Sequence, residues 1–355
     1  MYLILSPSDI YFLTGVRAHD PGEIMVLLGG EKPIVFCDAR TSGLFDADRF
    51  VIMSSRYNWW DILSTHSILE TDPSCLTMAL REKLEKYETN FIMAPSPITE
   101  QRIIKTPEEI EKLRESQRRN KLVYESILSF LIPGVSEREI ARKIQILQLE
   151  QGADGPSFPP IVAFGENSAI PHHSPTERKL QTGDIVLLDI WLVYQGYCSD
   201  MTRSHIFSGT FDSKSTQNCW KQINSLSSTA GDVQISWRSD SICSQTLDSE
   251  KQELIQLLQT ATSFIINWAK PGMNIADIDK KAREMLGEYE KYFTHSLGHG
   301  VGIDIHEAPW ISSKSDGILR EGMVITIEPG IYIAEKYGAR YEEMCMVTSE
   351  GLKLL

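Results

Sequence analysis

Gly183-Asp184-Ile185-Val186-Leu187-Leu188-Asp189 and Gly322-Met323-Val324-Ile325-Thr326-Ile327-Glu328 share one design: a glycine, a mostly apolar run typical of a buried strand, and a carboxylate. The second stretch follows the first at an offset of 139 residues. Upstream, Pro133-Gly134-Val135-Ser136 and Pro271-Gly272-Met273-Asn274 repeat at an offset of 138, and an amphipathic helix is predicted after each. Two matches at nearly one offset predict two similar α/β halves that face each other.

Four acids in this part of the chain lie at the ends of apolar strands or just beside them. Burying an unpaired carboxylate is costly, so each of these acids needs a positive partner. Few cations lie nearby in sequence, and Arg203 and Arg340 are the two that could pair with one of the acids. Such a set indicates a metal site. The four acids are Asp189, Asp200, Glu328 and Glu342.

Five of the eight histidines lie in two stretches rich in glycine or proline. His172 and His173 are adjacent, and either could face a site. Glycines at 298, 300 and 302 oppose a helix between His295 and His306, but they let the backbone and the side chains approach a ligand closely. No histidine stands at position 310, so the second stretch is not the helical HExxH motif of zinc proteases. Three histidines in twelve residues, with His299 between the other two, predict a functional site.

Four carboxylates and one histidine would form an oxygen-rich site. Such ligands suit Mn²⁺, Fe²⁺, Co²⁺ or Zn²⁺ better than a thiolate site would. Carboxylates can bridge, so the ligand count predicts two divalent ions about 3.5–4 Å apart. Such a pair lowers the pKa of bound water towards about 7 and supplies hydroxide for hydrolysis.

A length of 355 residues predicts two or three domains. Ala94-Pro95-Ser96-Pro97 interrupts regular structure, and Thr106-Pro107-Glu108-Glu109 begins a helix with a capping box and a proline at its first position. The sequence therefore predicts a boundary near 105. Before it, a hairpin of 24–28 and 33–37, strands at 50–53 and 90–93 and a helix at 76–87 predict a small α/β unit. Residues 211–250 are rich in serine and are predicted to form an elaborated connection.

The order Asp189, Asp200, His299, Glu328, Glu342 resembles that of the pita-bread metallopeptidases (peptidase family M24), in the branch of the Xaa-Pro aminopeptidases and prolidases. The likeness covers essentially the whole chain. It implies an α/β (α+β) fold, with a small creatinase/prolidase-like N-terminal domain at 1–105 and a pseudo-twofold pita-bread catalytic domain at 106–355. The matching stretches are 187–189, 196–203, 295–309, 326–332 and 338–342.

The resemblance also implies a role for each candidate residue. Asp200 and Glu342 would bridge the two metals, and Glu328 would both bind metal and move protons between the attacking hydroxide and the leaving amine. The full ligand set would be Asp189, Asp200, His299, Glu328 and Glu342. The resemblance also implies residues that would contact or orient the substrate. These are His306 and His172, which would stabilise the tetrahedral intermediate, His295, which would line the proline-side pocket, and Arg340 and Tyr332, which would orient the substrate.

The resemblance implies a Xaa-Pro aminopeptidase that uses two divalent ions, first of all Mn²⁺, and attacks with a metal-bridging hydroxide. It would remove the N-terminal residue from peptides with proline in second position. A Xaa-Pro dipeptidase (prolidase) is the alternative; a short N-terminal domain, which would leave room for a longer substrate, favours the aminopeptidase. A metal-free creatinase-like hydrolase and a non-enzymatic binding protein rank lower, because all five ligands are present. Trp191 and Glu343 depart from the family pattern without removing a ligand.

The composition limits the other classes of function. A net charge of −13 argues against nucleic-acid binding, which needs a basic face. No apolar run reaches the length of a membrane span, and the start of the chain has no secretory signal. Six scattered cysteines without a C-x-x-C pair are typical of free thiols in a reducing compartment. We therefore expect a cytoplasmic protein, and the resemblance implies a homo-oligomer, a dimer or a tetramer.

Overall fold

A computed structural model describes residues 1–18, 23–54, 59–66, 68–86, 90–155, 159–209 and 249–355. The chain divides into two compact units, Met1–Arg102 and Ile103–Leu355. The domain boundary at 105/106 stays a prediction. Residues 211–248 of the serine-rich connection lie outside the described residues.

The first unit is built on a six-stranded sheet in the order β4-β3-β2-β1-β5-β6. The predicted hairpin is confirmed, because Met25 pairs with Phe36 in an antiparallel ladder. The strand predicted at 90–93 is present with those bounds, and the strand predicted at 50–53 and the helix predicted at 76–87 are present with slightly shifted ends. The strands are β1 Tyr2–Ile4, β2 Met25–Leu28, β3 Ile34–Cys37, β4 Val51–Ser54, β5 Ile68–Thr71 and β6 Asn90–Met93, and the helices are α1 Pro7–Thr14, α2 Trp59–Leu63, α3 Met78–Glu85 and α4 Thr99–Ile103, whose last residue belongs to the second unit.

The second unit begins with two capped helices. Thr106 and Glu109 form the predicted capping box at the start of α5, Pro107–Ile127. This helix ends at Ile127, where a 3-10 turn begins. Ser136 and Glu139 form a second capping box. The elements that follow α5 are α6 Glu137–Glu150, β7 Ile161–Phe164, β8 Ile185–Tyr194, β9 Tyr197–Ile206, α7 Ser249–Trp268, α8 Ile275–Leu286, β10 Gly298–Gly300, β11 Glu307–Ile311, β12 Val324–Ile327, β13 Gly330–Ile333, β14 Tyr337–Arg340, β15 Glu343–Thr348 and β16 Gly351–Leu354.

Equivalent residues of the two predicted halves make similar contacts. Ser136 caps α6 and bridges Lys179, and Asn274 caps α8 and bridges Ile318 at the equivalent place. Gly183 (φ 92°) precedes β8 and Gly322 (φ 85°) precedes β12, and both adopt the left-handed conformation that glycine tolerates best. The backbone amide of Gly183 donates to the backbone oxygen of Phe207, directly after β9, and the amide of Gly322 donates to that of Val347, near the end of β15. The internal repeat is thus confirmed.

The sheets of this unit have orders β7-β8-β9, β11-β10-β12-β15-β16 and β13-β14. Apolar residues of α5 and α6, such as Val123 and Ile144, pack in one core with Leu188 of β8. In the second half, Leu258 of α7 packs in a core with Ile325 of β12. β8 and β12 are therefore each fixed by the helix pair of their own half. The prediction that each of these strands ends in an acid holds only for β12, which Glu328 directly follows, because β8 continues past Asp189 to Tyr194.

Gly298 tests how closely β10 and β12 must approach each other. A Cβ at this position would lie 2.0 Å from the backbone oxygen of Thr326, which cannot move without breaking the sheet. We expect Gly298→Ala to destabilise the fold by at least about 1–3 kcal/mol, measured by urea unfolding. Gly155→Ala is the control, because among the described residues no atom beyond its chain neighbours lies within 4 Å of its Cβ position; equal losses for both variants would contradict the packing account.

Candidate metal centre

Two of the candidate ligands are held on one face of the β8–β9 hairpin. Asp189 pairs with Thr202, and Trp191 pairs with Asp200. Side chains two residues apart on a strand share a face, and directly paired residues share it too. Asp189, Asp200 and Thr202 therefore project from the same side of the hairpin, together with Trp191. The departure from the family pattern at Trp191 thus places an indole on the face that carries the acids.

The second half supplies the other three candidates from separate strands. His299 lies on β10, and its backbone amide donates to Thr326 Oγ1 of β12 at 3.1 Å. Glu328 directly follows β12, and its Oε1 lies 3.3 Å from His299 Nε2. Glu342 lies between β14 and β15, where its Oε2 accepts a hydrogen bond from Thr202 Oγ1 at 2.7 Å.

These strands bring the predicted ligands to one place. His299 Nε2 is 3.6 Å from Asp200 Oδ2. Ligand atoms of Asp200, His299 and Glu342 all lie within 4.8 Å of one another. Glu328 adjoins this group through His299, and the charge of Asp189 acts on both Asp200 and Glu342. The structure thus gathers all five residues, although their role as ligands stays a proposal.

Electrostatics distinguishes this group from an ordinary ion-pair network. Burial, together with the charges of Glu342, Asp189 and Glu328, raises the pKa of Asp200 well above its usual value. Burial and then the charge of Asp189 raise the pKa of Glu342 to about 7. The pKa of Glu328 is raised for the same reasons, burial first. The site therefore carries more negative charge than its surroundings neutralise, and it fits divalent cations.

His299 has the protonation state that a metal ligand needs. Burial, with the nearby His306, lowers its pKa to about 3, so the ring is neutral at pH 7. Its Nδ1 lies 3.1 Å from the backbone oxygen of Gly300. A carbonyl oxygen only accepts, so Nδ1 carries the proton and the lone pair of Nε2 faces the acids.

Arg340 links the acids to the neighbouring aromatic groups. It donates to Asp189 Oδ2 at 2.5 Å, to Thr202 Oγ1 at 3.0 Å and to the hydroxyl of Tyr332 at 2.6 Å. It is thus the arginine that pairs with one of the four acids. Arg203 instead pairs with Glu343 at 2.6 Å, on the opposite face of β9.

His295 extends this chain of hydrogen bonds. Its Nε2 lies 2.9 Å from the Tyr332 hydroxyl, and its Nδ1 lies 2.8 Å from the backbone oxygen of Ser296. Arg283 donates to the backbone oxygen of His295 at 2.7 Å, while the buried Asp279 holds the guanidinium. Burial, together with the charge of Arg340, lowers the pKa of His295 to about 3. The neutral ring therefore accepts a hydrogen bond from the Tyr332 hydroxyl at Nε2.

His306 reaches the group from the loop before β11. Its ring centroid is 4.4 Å from that of His299 in an edge arrangement, and it stacks on Trp310 with the ring centroids 6.0 Å apart. His306 and Trp310 are both exposed, which leaves the ring open to an incoming molecule. Trp310, a cross-strand neighbour of His299, was missed in the sequence because it stands outside the glycine-rich motif.

The structure separates the two adjacent histidines. His173 is buried, and its Nε2 lies 2.8 Å from Glu137 Oε2. His172 is exposed and exerts an electrostatic influence on both His295 and His306. The geometry therefore favours His172 as the histidine that is available to a ligand.

The described geometry matches a known family. The model of "Metallopeptidase family M24" matches residues 111–230 and 228–349. The chain belongs to this family, and it is a metallopeptidase by that membership.

Similar proteins align with nearly the whole length of this chain. A Xaa-Pro dipeptidase of Pyrococcus furiosus is 34% identical over 360 residues, which cover 99% of this chain and 92% of the relative. The solved prolidase from the same organism has a TM-score of 0.80 at 28% identity, over 99% of this chain and 95% of that one. A Xaa-Pro dipeptidase from Bacillus anthracis has a TM-score of 0.82 at 28% identity, over 99% and 91%. The α/β pita-bread fold with its N-terminal domain is thus confirmed. Within the ranges that the structure describes, no helix is long and apolar enough to cross a membrane.

Replacing one acid should relieve the repulsion in the metal-free protein. The pKa of Glu342 is raised from 4.5 to about 7, so the folded state binds more protons than the unfolded state, and this carboxylate costs stability as pH rises through that range. In excess chelator, we expect Glu342→Gln to be more stable than the wild type, by a margin that grows from about pH 5 to about pH 7.5. The free energy of unfolding in urea at the two pH values measures this margin.

With Mn²⁺ present, we expect the wild type to be more stable than Glu342→Gln. An ion that binds only the folded state stabilises it, and the variant would bind Mn²⁺ less tightly because it lacks one charged candidate ligand. Glu321→Gln, an exposed acid, is the control. A Glu342→Gln variant that loses stability in chelator at high pH would contradict the repulsion account.

Proposed function

We propose that this chain is a metal-dependent Xaa-Pro dipeptidase, a prolidase. The observation that carries the proposal is the likeness to the Pyrococcus furiosus Xaa-Pro dipeptidase, at 34% identity over 99% of this chain. The aminopeptidase reading is weaker. The solved X-Pro aminopeptidase from Thermotoga maritima is 23% identical, which supports the fold alone.

The argument from a short N-terminal domain also loses its force. The dipeptidase of Pyrococcus furiosus is matched over 92% of its own length, so a first unit of this size is compatible with dipeptidase activity. We therefore prefer the alternative to the first expectation. The expectations of a homo-oligomer and of a cytoplasmic location stay predictions.

The ligands in this proposal are Asp189, Asp200, His299, Glu328 and Glu342, and they would hold two divalent ions, with Mn²⁺ as the first choice and Co²⁺, Zn²⁺ or Fe²⁺ as alternatives. When bound, such ions polarise a carbonyl and lower the pKa of water. The buried cluster of acids supports this reading over a metal-free creatinase-like hydrolase or a binding protein, because without cations its charges would only destabilise the fold.

Several side chains would act on the peptide itself, and Glu328 would do so in addition to binding metal. Glu328, a partly buried carboxylate with a raised pKa, is suited to take a proton from the attacking water and to pass it to the leaving proline nitrogen. His306 and His172, both exposed, would donate hydrogen bonds to the oxygen of the tetrahedral intermediate. His295 and Tyr332, held by Arg340, would form the wall of the proline-side pocket.

Substrate length separates the two activities. We expect the Mn²⁺-loaded protein to cleave a Xaa-Pro dipeptide and to leave the matching Xaa-Pro-Xaa tripeptide largely intact, measured by release of the free N-terminal amino acid. A Xaa-Ala dipeptide is the control for general dipeptidase activity. Equal or faster cleavage of the tripeptide would support the aminopeptidase and overturn the proposal.

Glu328→Gln tests the proton carrier. The amide keeps the shape of the side chain but cannot accept a proton, so we expect kcat to fall by at least about 100-fold. The metal-free variant should still unfold in one cooperative transition, at a stability no lower than that of the wild type, because one repelling charge is removed. Glu321→Gln, seven positions upstream and exposed, should retain full activity. Unchanged turnover in Glu328→Gln would contradict the assigned role.

A further inference from the structure

We propose that Glu137, a residue outside the metal centre, is a positioning residue that holds the His172 segment (residues 164–176) in the geometry that substrate binding requires. The inference rests on the proposed role of His172 in the reaction. Glu137 touches neither the candidate ligands nor the substrate-side histidines, and it would act only through this segment.

The carboxylate of Glu137 is fully buried and is saturated by donors from this one segment. Its Oε1 accepts from the backbone amide of Phe164 at 2.8 Å and from Asn167 Nδ2 at 2.9 Å. Its Oε2 accepts from the backbone amide of Thr176 at 2.9 Å, from Thr176 Oγ1 at 2.6 Å and from His173 Nε2 at 2.8 Å. Five hydrogen bonds thus tie both ends of the segment to the first turn of α6.

The segment lies between this anchor and the centre itself. Ser168 Oγ accepts from the backbone amide of Gly338 on β14 at 2.9 Å, and the backbone oxygen of Pro171 lies 3.5 Å from Arg340 Nη1. His172 therefore sits between a residue beside Arg340 and a residue bonded to Glu137. A shift of the anchored end moves the exposed imidazole relative to His295 and His306.

The acid is required at this place for a chemical reason. A carboxylate has only acceptor positions, and all five partners of Glu137 point a hydrogen at it. Glutamine would turn an amide donor towards some of these hydrogens and release part of the segment. The helix N-terminus favours the negative charge as well, so the fold tolerates a buried anion here that has no arginine or lysine partner among its five hydrogen-bond donors.

Glu139 provides a matched control on the same helical turn. It also belongs to the first turn of α6, but its half-exposed side chain bonds to Ser136 and Lys179. Glu139→Gln therefore weakens the same helix end without touching residues 164–176. A loss that comes only from a weaker helix would appear in both variants.

The test combines kinetics with a double-mutant cycle on the Mn²⁺-loaded protein and a Xaa-Pro dipeptide. We expect Glu137→Gln to lower kcat/KM by about 10-fold or more, with the amount of bound Mn²⁺ unchanged and Glu139→Gln near wild type. In a His172→Ala background, Glu137→Gln should cost almost nothing further, because two residues that act through one contact are not additive. Independent, multiplicative losses, or equal losses in Glu139→Gln, would overturn the proposal.

Hydrogen exchange gives a readout that does not depend on activity. The amides of Phe164 and Thr176 should exchange faster in Glu137→Gln than in Glu139→Gln, and unchanged exchange would overturn the anchoring. If Glu137→Gln fails to fold, Thr176→Val, which removes one of the five bonds, replaces it in both experiments with the same expected directions. A wild type that cleaves no Xaa-Pro dipeptide would refute the proposed function, and the exchange data would still decide whether Glu137 anchors the segment.

Discussion

The repulsion between four closely spaced carboxylates is the constraint on which this structure depends. Asp200 and Glu342 are buried, and Asp189 and Glu328 are partly buried beside them. Burial and the charges of neighbouring carboxylates raise the pKa values of Asp200, Glu328 and Glu342, so their ionised forms are costly without cations. The protein itself offsets part of this negative charge, because Arg340 pairs with Asp189 and Thr202 donates a hydrogen bond to Glu342. Bound divalent cations would neutralise the rest of the charge, and without them the repulsion lowers the stability of the fold.

The internal repeat explains how the acids come together. In each half a left-handed glycine, Gly183 or Gly322, precedes a strand that packs on its own helix pair. The first strand carries Asp189 within it, and the second is directly followed by Glu328. The close approach of β10 to β12 at Gly298 then sets His299 beside Glu328. Repeating one supersecondary unit thus delivers carboxylates from both sides, and the hydrogen bonds around Arg340 and Tyr332 orient the groups at the rim.

The sequence predicted the fold and picked out the five residues that gather at the candidate site, because both depend on local patterns. An apolar strand followed by an acid, glycines around histidines and capping boxes at Thr106 and Ser136 are all readable within a few residues. Contacts between distant segments were not readable: nothing near Arg203 in sequence indicates its pairing with Glu343, and nothing near Glu137 indicates its hold on the segment of His172. The choice between dipeptidase and aminopeptidase rested on the size of the N-terminal domain, which carries no information about the ends of the substrate.

The number of Mn²⁺ ions bound per chain tests the central claim most directly. Equilibrium dialysis of the metal-stripped protein against Mn²⁺, followed by elemental analysis, should give two ions per chain for the wild type, the number that the ligand count predicts. Fewer should bind to Asp200→Asn, which removes a buried ligand from between the others. A wild type that binds no divalent ion, or binds equally after this substitution, would contradict the account.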